Sequence, residues 1–147
     1  MIYKDPERVF RKAVYNALNG NVSYGGNNVP VYDEFASDTA GDLFIVLGNQ
    51  YADDRRNFAK FVTGCVIIID ICHIQNRAMT KDVVDAISNT IKGILMPSLV
   101  LTGLTLDAGF SVNNLYRETS SYLSEQNNTK WVLRKLERYR ADIQQDS

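Results

Sequence analysis

Hydrophobic residues near the start of the chain recur at i, i+3, i+4, i+7 and i+8, the spacing of a helix with one apolar face. Asp5-Pro6-Glu7 precedes this pattern and combines an N-cap acid, a proline at the first helical position and an acid in the first turn. Asn19-Gly20 follows it as a helix end. The sequence therefore predicts a first helix, with an apolar face made of Phe10, Ala13, Val14, Ala17 and Leu18.

Residues 58–75, FAKFVTGCVIIIDICHIQ, form a segment rich in β-branched residues. Its composition predicts a strand, and its length exceeds that of an average strand. Between Val66 and Ile71 both alternating sets of side chains are largely apolar, so we expect this part to be covered on both faces. Asp70 interrupts one set, and we expect it near an end of the strand or at an interface.

The residues between the first helix and this strand divide into four segments. Residues 20–28 predict a flexible loop, and Val29–Tyr32 predicts a short edge strand because Pro30 lacks a ladder donor. Leu43–Gly48 predicts an apolar strand. Asn49–Asn57 predicts a polar connection back into the long strand.

A second helix is predicted after the long strand. Thr80 is its expected N-cap, and Met96-Pro97 ends it. Its apolar stripe consists of Val83, Val84, Ile87, Ile91, Ile94 and Leu95.

The C-terminal third alternates between apolar and polar residues. Leu99–Leu106 predicts a further strand, and Phe110–Glu125 predicts another, ended by a turn at Gln126–Thr129. Lys130–Ile143 fits either a strand or a helix, and we favour a strand because it would close a hairpin with the preceding one. The order α-β-β-β-α-β-β-β predicts an α+β fold: a mainly antiparallel β-sheet with two α-helices packed on one face.

The length of 147 residues indicates one domain over residues 1–147, large enough to bury a core without metals or disulfides. The formal net charge is -1, so the chain as a whole has no attraction for nucleic acid or an anionic membrane. Cys65 and Cys72 would lie about 23 Å apart on one strand, too far for a disulfide between them. We therefore expect free, buried thiols, which are consistent with synthesis in a reducing cytosol. We expect no signal peptide, and the run Cys65–Ile71 is too short to span a bilayer.

Charges are unevenly distributed along the sequence. Six acids and no Lys or Arg occur between residues 32 and 54, and five bases face three acids between residues 128 and 147. Two solvated surfaces would explain this pattern, and so would head-to-tail contact between copies of the chain. The acids are Asp33, Glu34, Asp38, Asp42, Asp53 and Asp54; the bases are Lys130, Arg134, Lys135, Arg138 and Arg140.

Catalytic and metal-binding patterns are missing from the sequence. His73 is the one histidine, and Cys72 beside it would point to the opposite face of a strand. The loop at residues 20–28 lacks the lysine of a phosphate-binding loop. We therefore expect no enzyme, no metal and no cofactor. A single-strand nucleic-acid face is a competing interpretation, but Trp131 and Tyr139 would lie on one side of the closing strand and its three arginines on the other.

The order of elements resembles the tail-terminator (tail-completion) proteins of tailed bacteriophages and the related neck proteins. The resemblance runs from about Val9 to Arg140 through VFRKAVYNALNG, VYDEF, LFIVLGN, the long strand, KDVVDAISNTIKGIL and YRETSSYLSEQNNTKWVLRKLERYR. LVLTGLTLD departs from it, where a simple loop would be expected.

This resemblance implies a structural virion protein that forms a homo-oligomeric ring, commonly a hexamer, at the head–tail junction after assembly in the host cytoplasm. The ring would terminate the tail tube and dock it to the neck or connector protein, with genomic DNA passing through the lumen without sequence-specific binding. A head-completion or connector adaptor protein is the alternative within the class. The expected subunit contacts are the acidic residues named above together with Tyr51, Arg134, Arg138 and Arg140.

Overall fold

The computed structural model describes residues 2–37, 39–56, 60–76, 80–99, 101–127 and 129–146. This part of the chain forms two helices and seven strands. They are α1 (Glu7–Leu18), β1 (Ser23–Tyr24), β2 (Asn27–Asn28), β3 (Val31–Asp33), β4 (Leu43–Arg56), β5 (Phe61–Gln75), α2 (Asp82–Leu95), β6 (Phe110–Asn127) and β7 (Lys130–Gln145).

Five strands form one sheet in the order β3-β4-β5-β7-β6. Strand β3 runs parallel to β4, and every other neighbouring pair is antiparallel. The predicted α+β fold is confirmed. The closing segment is a strand, as predicted, and β6 and β7 form a long hairpin over nearly their full lengths.

Both helices contribute to a single core against one face of the sheet. Phe10, Val14 and Leu18 of α1 are buried, as are Ile87 and Ile91 of α2. These side chains pack with alternate residues of the central strands, so the predicted helical stripes meet the inward face of the sheet. The strand residues are Ile45, Leu47, Cys65, Ile67, Ile69, Ile71, Leu133, Tyr139, Ala141 and Ile143.

Each helix begins one residue later than its sequence signals predict. The N-cap of α1 is Pro6, while the Asp5 carboxylate still accepts a hydrogen bond from the Glu7 N–H at 3.0 Å. At α2 the N-cap is Lys81, and the Thr80 hydroxyl accepts from the Asp82 N–H at 3.3 Å. The predicted acceptors therefore serve the first turns from just outside the helices.

Strand β4 corrects the prediction of a polar connection at residues 49–57. The strand continues through Arg56 and pairs with β5 on both sides of a bulge between Leu47 and Gln50. After the bulge, Tyr51 and Asp53 face away from the helices and Ala52 faces the core. Backbone pairing with β5 makes this polar segment a strand, and its polar residues are compatible with a strand that has one solvent-exposed face. Residue 57 lies outside the described residues.

The predicted loop at residues 20–28 contains the short β1–β2 ribbon. Gly25 and Gly26 form its turn at φ 59° and 82°, values that favour glycine. Val22 and Val29 on either side are buried, so they tie the ribbon to the core.

No strand forms between Leu99 and Leu106 in the described residues, which corrects that prediction. The segment folds back on α2 instead: the Gly103 N–H donates to the Leu95 carbonyl at 2.8 Å. A Cβ at residue 103 would lie 1.8 Å from the Ile94 carbonyl oxygen, so only glycine fits this approach. Leu104 and Leu106 pack against the core. Residue 100 lies outside the described part.

Candidate assembly surfaces

The pleat of the sheet produces a second face opposite the helices, which we call the open face. Along β5, Ile67 and Ile69 point toward the helices, whereas Val66, Ile68 and Asp70 point to the open face. Val66 is buried there although no helix covers it, since Tyr51 and Arg140 lie opposite it on the neighbouring strands. Cover on this face comes from the side chains of adjacent strands.

Arg134 and Asp70 form a partly buried ion pair of the open face. Arg134 Nη2 lies 2.6 Å from Asp70 Oδ2, and its Nε donates to the same oxygen at 3.1 Å. Asp70 is 7% exposed. The hydrogen bonds to Asp70 raise the pKa of Arg134, so the guanidinium stays charged. Asp70, expected near a strand end or an interface, lies within β5 and has a partner in its own subunit.

Arg140 and Asp53 form a second ion pair above Gly64. Arg140 Nη2 lies 2.8 Å from Asp53 Oδ1, and this hydrogen bond raises the pKa of Arg140. A Cβ on Gly64 would lie 2.2 Å from Arg140 Nη2 and 2.3 Å from Asp53 Oδ1. The missing side chain at residue 64 therefore makes room for the ion pair.

Arg138 lies between an acid and an aromatic ring. Its Nε is 2.7 Å from Glu118 Oε2, and its guanidinium carbon lies 4.7 Å from the centre of the Tyr51 ring. Such a cation–π contact stabilises by about 0.5–1 kcal/mol at an exposed site. The structure thus brings together four of the residues expected at subunit contacts: Tyr51, Asp53, Arg138 and Arg140.

The remaining acids of that expected set are dispersed. Asp33 pairs with Arg11 at 3.3 Å, and Glu34 follows β3 with a φ of 78°. Asp54 is on the helix side of the sheet, where its carboxylate accepts a hydrogen bond from the Tyr3 hydroxyl at 2.7 Å.

Asp42 precedes β4, and its backbone carbonyl accepts from the Ile74 N–H. Asp38 lies outside the described residues. The acids therefore do not form one continuous patch, and the role of the whole set in subunit contacts stays a prediction.

The helix side carries a buried polar cluster that sequence reasoning missed. Glu137 is fully buried and accepts hydrogen bonds from the Ser88 hydroxyl of α2 and from Arg117 of β6. The bond to Glu137 raises the pKa of Arg117. One carboxylate therefore links α2, β6 and β7. The alternation of β7 residues could have placed Glu137 on the helix side, but not its partners on α2 and β6.

The described residues do not assemble a catalytic centre from the cysteines and the histidine. Cys65 and Cys72 are free and buried, as predicted, and burial raises the pKa of each thiol to about 12. Burial lowers the pKa of His73, whose Nδ1 has no hydrogen-bond partner in the described structure. Cys65 lies eight residues along β5 from His73, about 26 Å away. No group of three described His, Cys, Asp or Glu residues is placed to hold a metal ion.

Large apolar side chains are exposed at the two edges of the sheet. Leu99 and Leu101 are exposed in the segment between α2 and β6, close to Val112 and Leu115 of edge strand β6. Phe35 is 78% exposed just after β3, the opposite edge strand. The apolar run at residues 99–106 was visible in the sequence, but only the tertiary structure shows which of its leucines face solvent.

A scan of protein-family models and a search of curated proteins found no match for this chain. None of the described helices has the length and hydropathy needed to cross a membrane. Among solved structures, the chain is similar to one chain of "Virion of native gene transfer agent (GTA) particle" at 15% sequence identity. The TM-score is 0.64, and the match covers 92% of this chain and 96% of that chain. At this identity the likeness establishes a shared fold.

Proposed function

We propose that this protein is a structural component of a phage-like virion, located at the head–tail junction. The supporting observation is the fold shared with a chain of a gene transfer agent virion over nearly the full length of both chains. Few insertions or deletions of whole elements separate two chains that cover each other so completely. A role in construction rather than in catalysis fits the buried thiols, whose raised pKa keeps them protonated.

Within the virion, the proposed role is a homo-oligomeric ring that terminates the tail tube and docks it to the neck or connector. A closed ring needs two different, complementary surfaces on each subunit. Unlike edges of the sheet support this proposal: β3 contributes three residues at one edge and β6 contributes eighteen at the other. The ring would contact the tail tube protein on one side and the neck protein on the other, and genomic DNA would pass through its lumen.

The ion pairs of the open face favour this role over a nucleic-acid-binding module. Arg134, Arg138 and Arg140 each lie within 3 Å of a carboxylate of the same subunit. Phosphate binding would have to displace these carboxylates, whereas affinity for DNA normally comes from cations that release the counterions of phosphate. Tyr139, one of the two aromatic residues considered for base stacking, is fully buried on the helix side and so is not available to a base.

Particles assembled without this protein test the proposal. We expect electron microscopy to show filled heads separate from tails and tubes of irregular length, and supplying the wild-type chain should restore joined particles. Heads joined to tubes of normal length in its absence would contradict the proposal. If heads leak DNA while tubes keep a uniform length, the chain acts in head completion instead, and ring symmetry in the micrographs would separate a sixfold ring from a twelvefold one.

A further inference from the structure

The strongest unexplained feature is the leucine loop, the segment between α2 and β6 that carries Leu99 and Leu101. Leu99 has a relative exposure of 106% and Leu101 of 65%, so both apolar side chains are in contact with water in the single subunit. The loop is anchored at Gly103, whose N–H bonds to the end of α2 and whose missing Cβ allows that approach. Leu104 and Leu106 then pack inward.

The Gly103 anchor lies two residues after Leu101 and holds the end of the loop on α2. Leu101 receives a further local contact, since its N–H donates to the Ser98 hydroxyl at 3.0 Å. Both leucines line a groove with Val112 and Leu115, which places the loop at the β6 edge of the sheet. Leu99 and Leu101 therefore present exposed apolar side chains at the β6 edge, and Leu101 is held by a local contact.

An open cavity lies at the opposite edge, beside β3, and we call it the aromatic recess. Tyr15 of α1, Tyr32 of β3 and Phe35 line it, and its volume is about 390 Å³. The rest of its lining consists of Arg8, Arg11, Lys12, Val31 and Asp33, and Arg11 is paired with Asp33. An aliphatic side chain can enter such a recess while the charged groups of the rim stay in water.

We infer that the leucine loop of one subunit docks into the aromatic recess of the next copy of this chain. The inference rests on the proposed ring and names its subunit contact. The occupant is a second copy because the leucine loop and the recess lie on opposite edges of one sheet, where β6 and β3 are the outermost strands. A head-to-tail contact between unlike edges is the kind that closes a ring, whereas a two-fold contact would bring like edges together.

Cysteine cross-linking tests this contact because both natural thiols are buried. The variant Leu101→Cys/Phe35→Cys, treated with a short bismaleimide, should give a ladder of covalent multimers both in concentrated protein and in assembled particles. An equal mixture of the two single variants should stop at dimers. The control Tyr24→Cys/Phe35→Cys places the first cysteine on the β1–β2 ribbon beside α2, away from the leucine loop and the open face, and should give no ladder.

A second variant measures the contribution of the leucines. Leu99→Ser/Leu101→Ser should weaken subunit association about a hundredfold in a concentration series of native mass spectra, since each buried leucine contributes appreciably. The matched variant Tyr24→Ser, at an exposed side chain of the β1–β2 ribbon beside α2, should leave association unchanged. Circular dichroism confirms that each variant is folded.

The outcomes separate this inference from the proposed function. Oligomers without the expected ladder, or with self-linking of Leu101→Cys alone, would overturn the contact while leaving the ring in place. A wild-type chain that stays monomeric at every concentration and in particle extracts would overturn both.

Discussion

The two faces of the sheet differ in what covers their side chains: helices pack on one face, and charged side chains of neighbouring strands pair on the other. On the helix side of β5, Ile67, Ile69 and Ile71 are fully buried in one apolar cluster. On the open face, Val66 and Ile68 alternate with Asp70, and the charged groups around them pair between strands. The first face shows what folding requires. The second combines apolar side chains with ion pairs between strands, and its role in subunit contacts is part of the proposal.

Charge reversal on the open face should have the largest effect. Changing Arg134, Arg138 and Arg140 to Glu should abolish ring assembly, because it repels neighbouring carboxylates and removes the cations of this face. Light scattering would report the oligomer mass, with Lys4→Glu as a control for charge alone. An unchanged oligomer mass would count against these arginines as subunit contacts.

A charge swap separates assembly from folding in that experiment. The double variant Asp53→Arg/Arg140→Glu keeps an ion pair within the subunit but inverts its orientation on the face. We expect it to recover the free energy of unfolding lost in Arg140→Glu while leaving assembly impaired. If it restores both, the pair has a purely internal role.

Single truncations compare the faces within one strand. Ile69→Ala should lower the free energy of unfolding by about 2–5 kcal/mol because it leaves a cavity under the helices. Ile68→Ala, at a partly exposed site of the open face, should cost about 1 kcal/mol or less. Urea unfolding of the isolated subunit measures both values. Equal losses would mean that the open face is packed as tightly as the core.

Buried and exposed carboxylates provide the next contrast. Glu137→Gln should cost about 3 kcal/mol, since it leaves the Arg117 guanidinium without its charged partner. Glu125→Gln, at a side chain 52% exposed, should cost less than about 1 kcal/mol. The same urea titration applies, and a Glu137→Gln protein as stable as wild type would show that the Arg117–Glu137 ion pair adds nothing to stability.

Thiol accessibility offers the smallest and finest comparison. Both cysteines should react slowly with an aromatic disulfide reagent at pH 8, because burial raises each thiol pKa to about 12. Cys72, on the open face and 6% exposed, should react faster than the fully buried Cys65. Single Cys→Ala variants assign the two phases. Faster reaction at Cys65 would reverse the assignment of the covered and open faces.

Regular alternation made most of the fold predictable from sequence. The apolar stripes predicted α1 and α2, the β-branched run predicted β5, and alternation of apolar and polar residues predicted the closing hairpin. Local composition failed where tertiary pairing decided the outcome. The polar half of β4 is a strand because β5 supplies its hydrogen-bond partners, and the apolar run at residues 99–106 is not one because Gly103 docks it on α2.

The candidate site was less accessible to sequence reasoning. The bias toward acids and bases identified Asp53 and Arg140, but nothing in a single sequence shows that residues 87 positions apart form an ion pair within one subunit. The need for glycine at residue 64 is likewise visible only once the ion pair above it is known. Long-range partners of this kind arise from strand register, which the chain sets only when the whole sheet has formed.

The mass of the assembled species tests the central claim most directly. Native mass spectrometry of complexes released from particles should show one species with a fixed number of 16.6 kDa subunits. Six copies are expected from the resemblance to tail-terminator proteins. A chain that remains a 16.6 kDa monomer beside every tail and neck component would contradict the account.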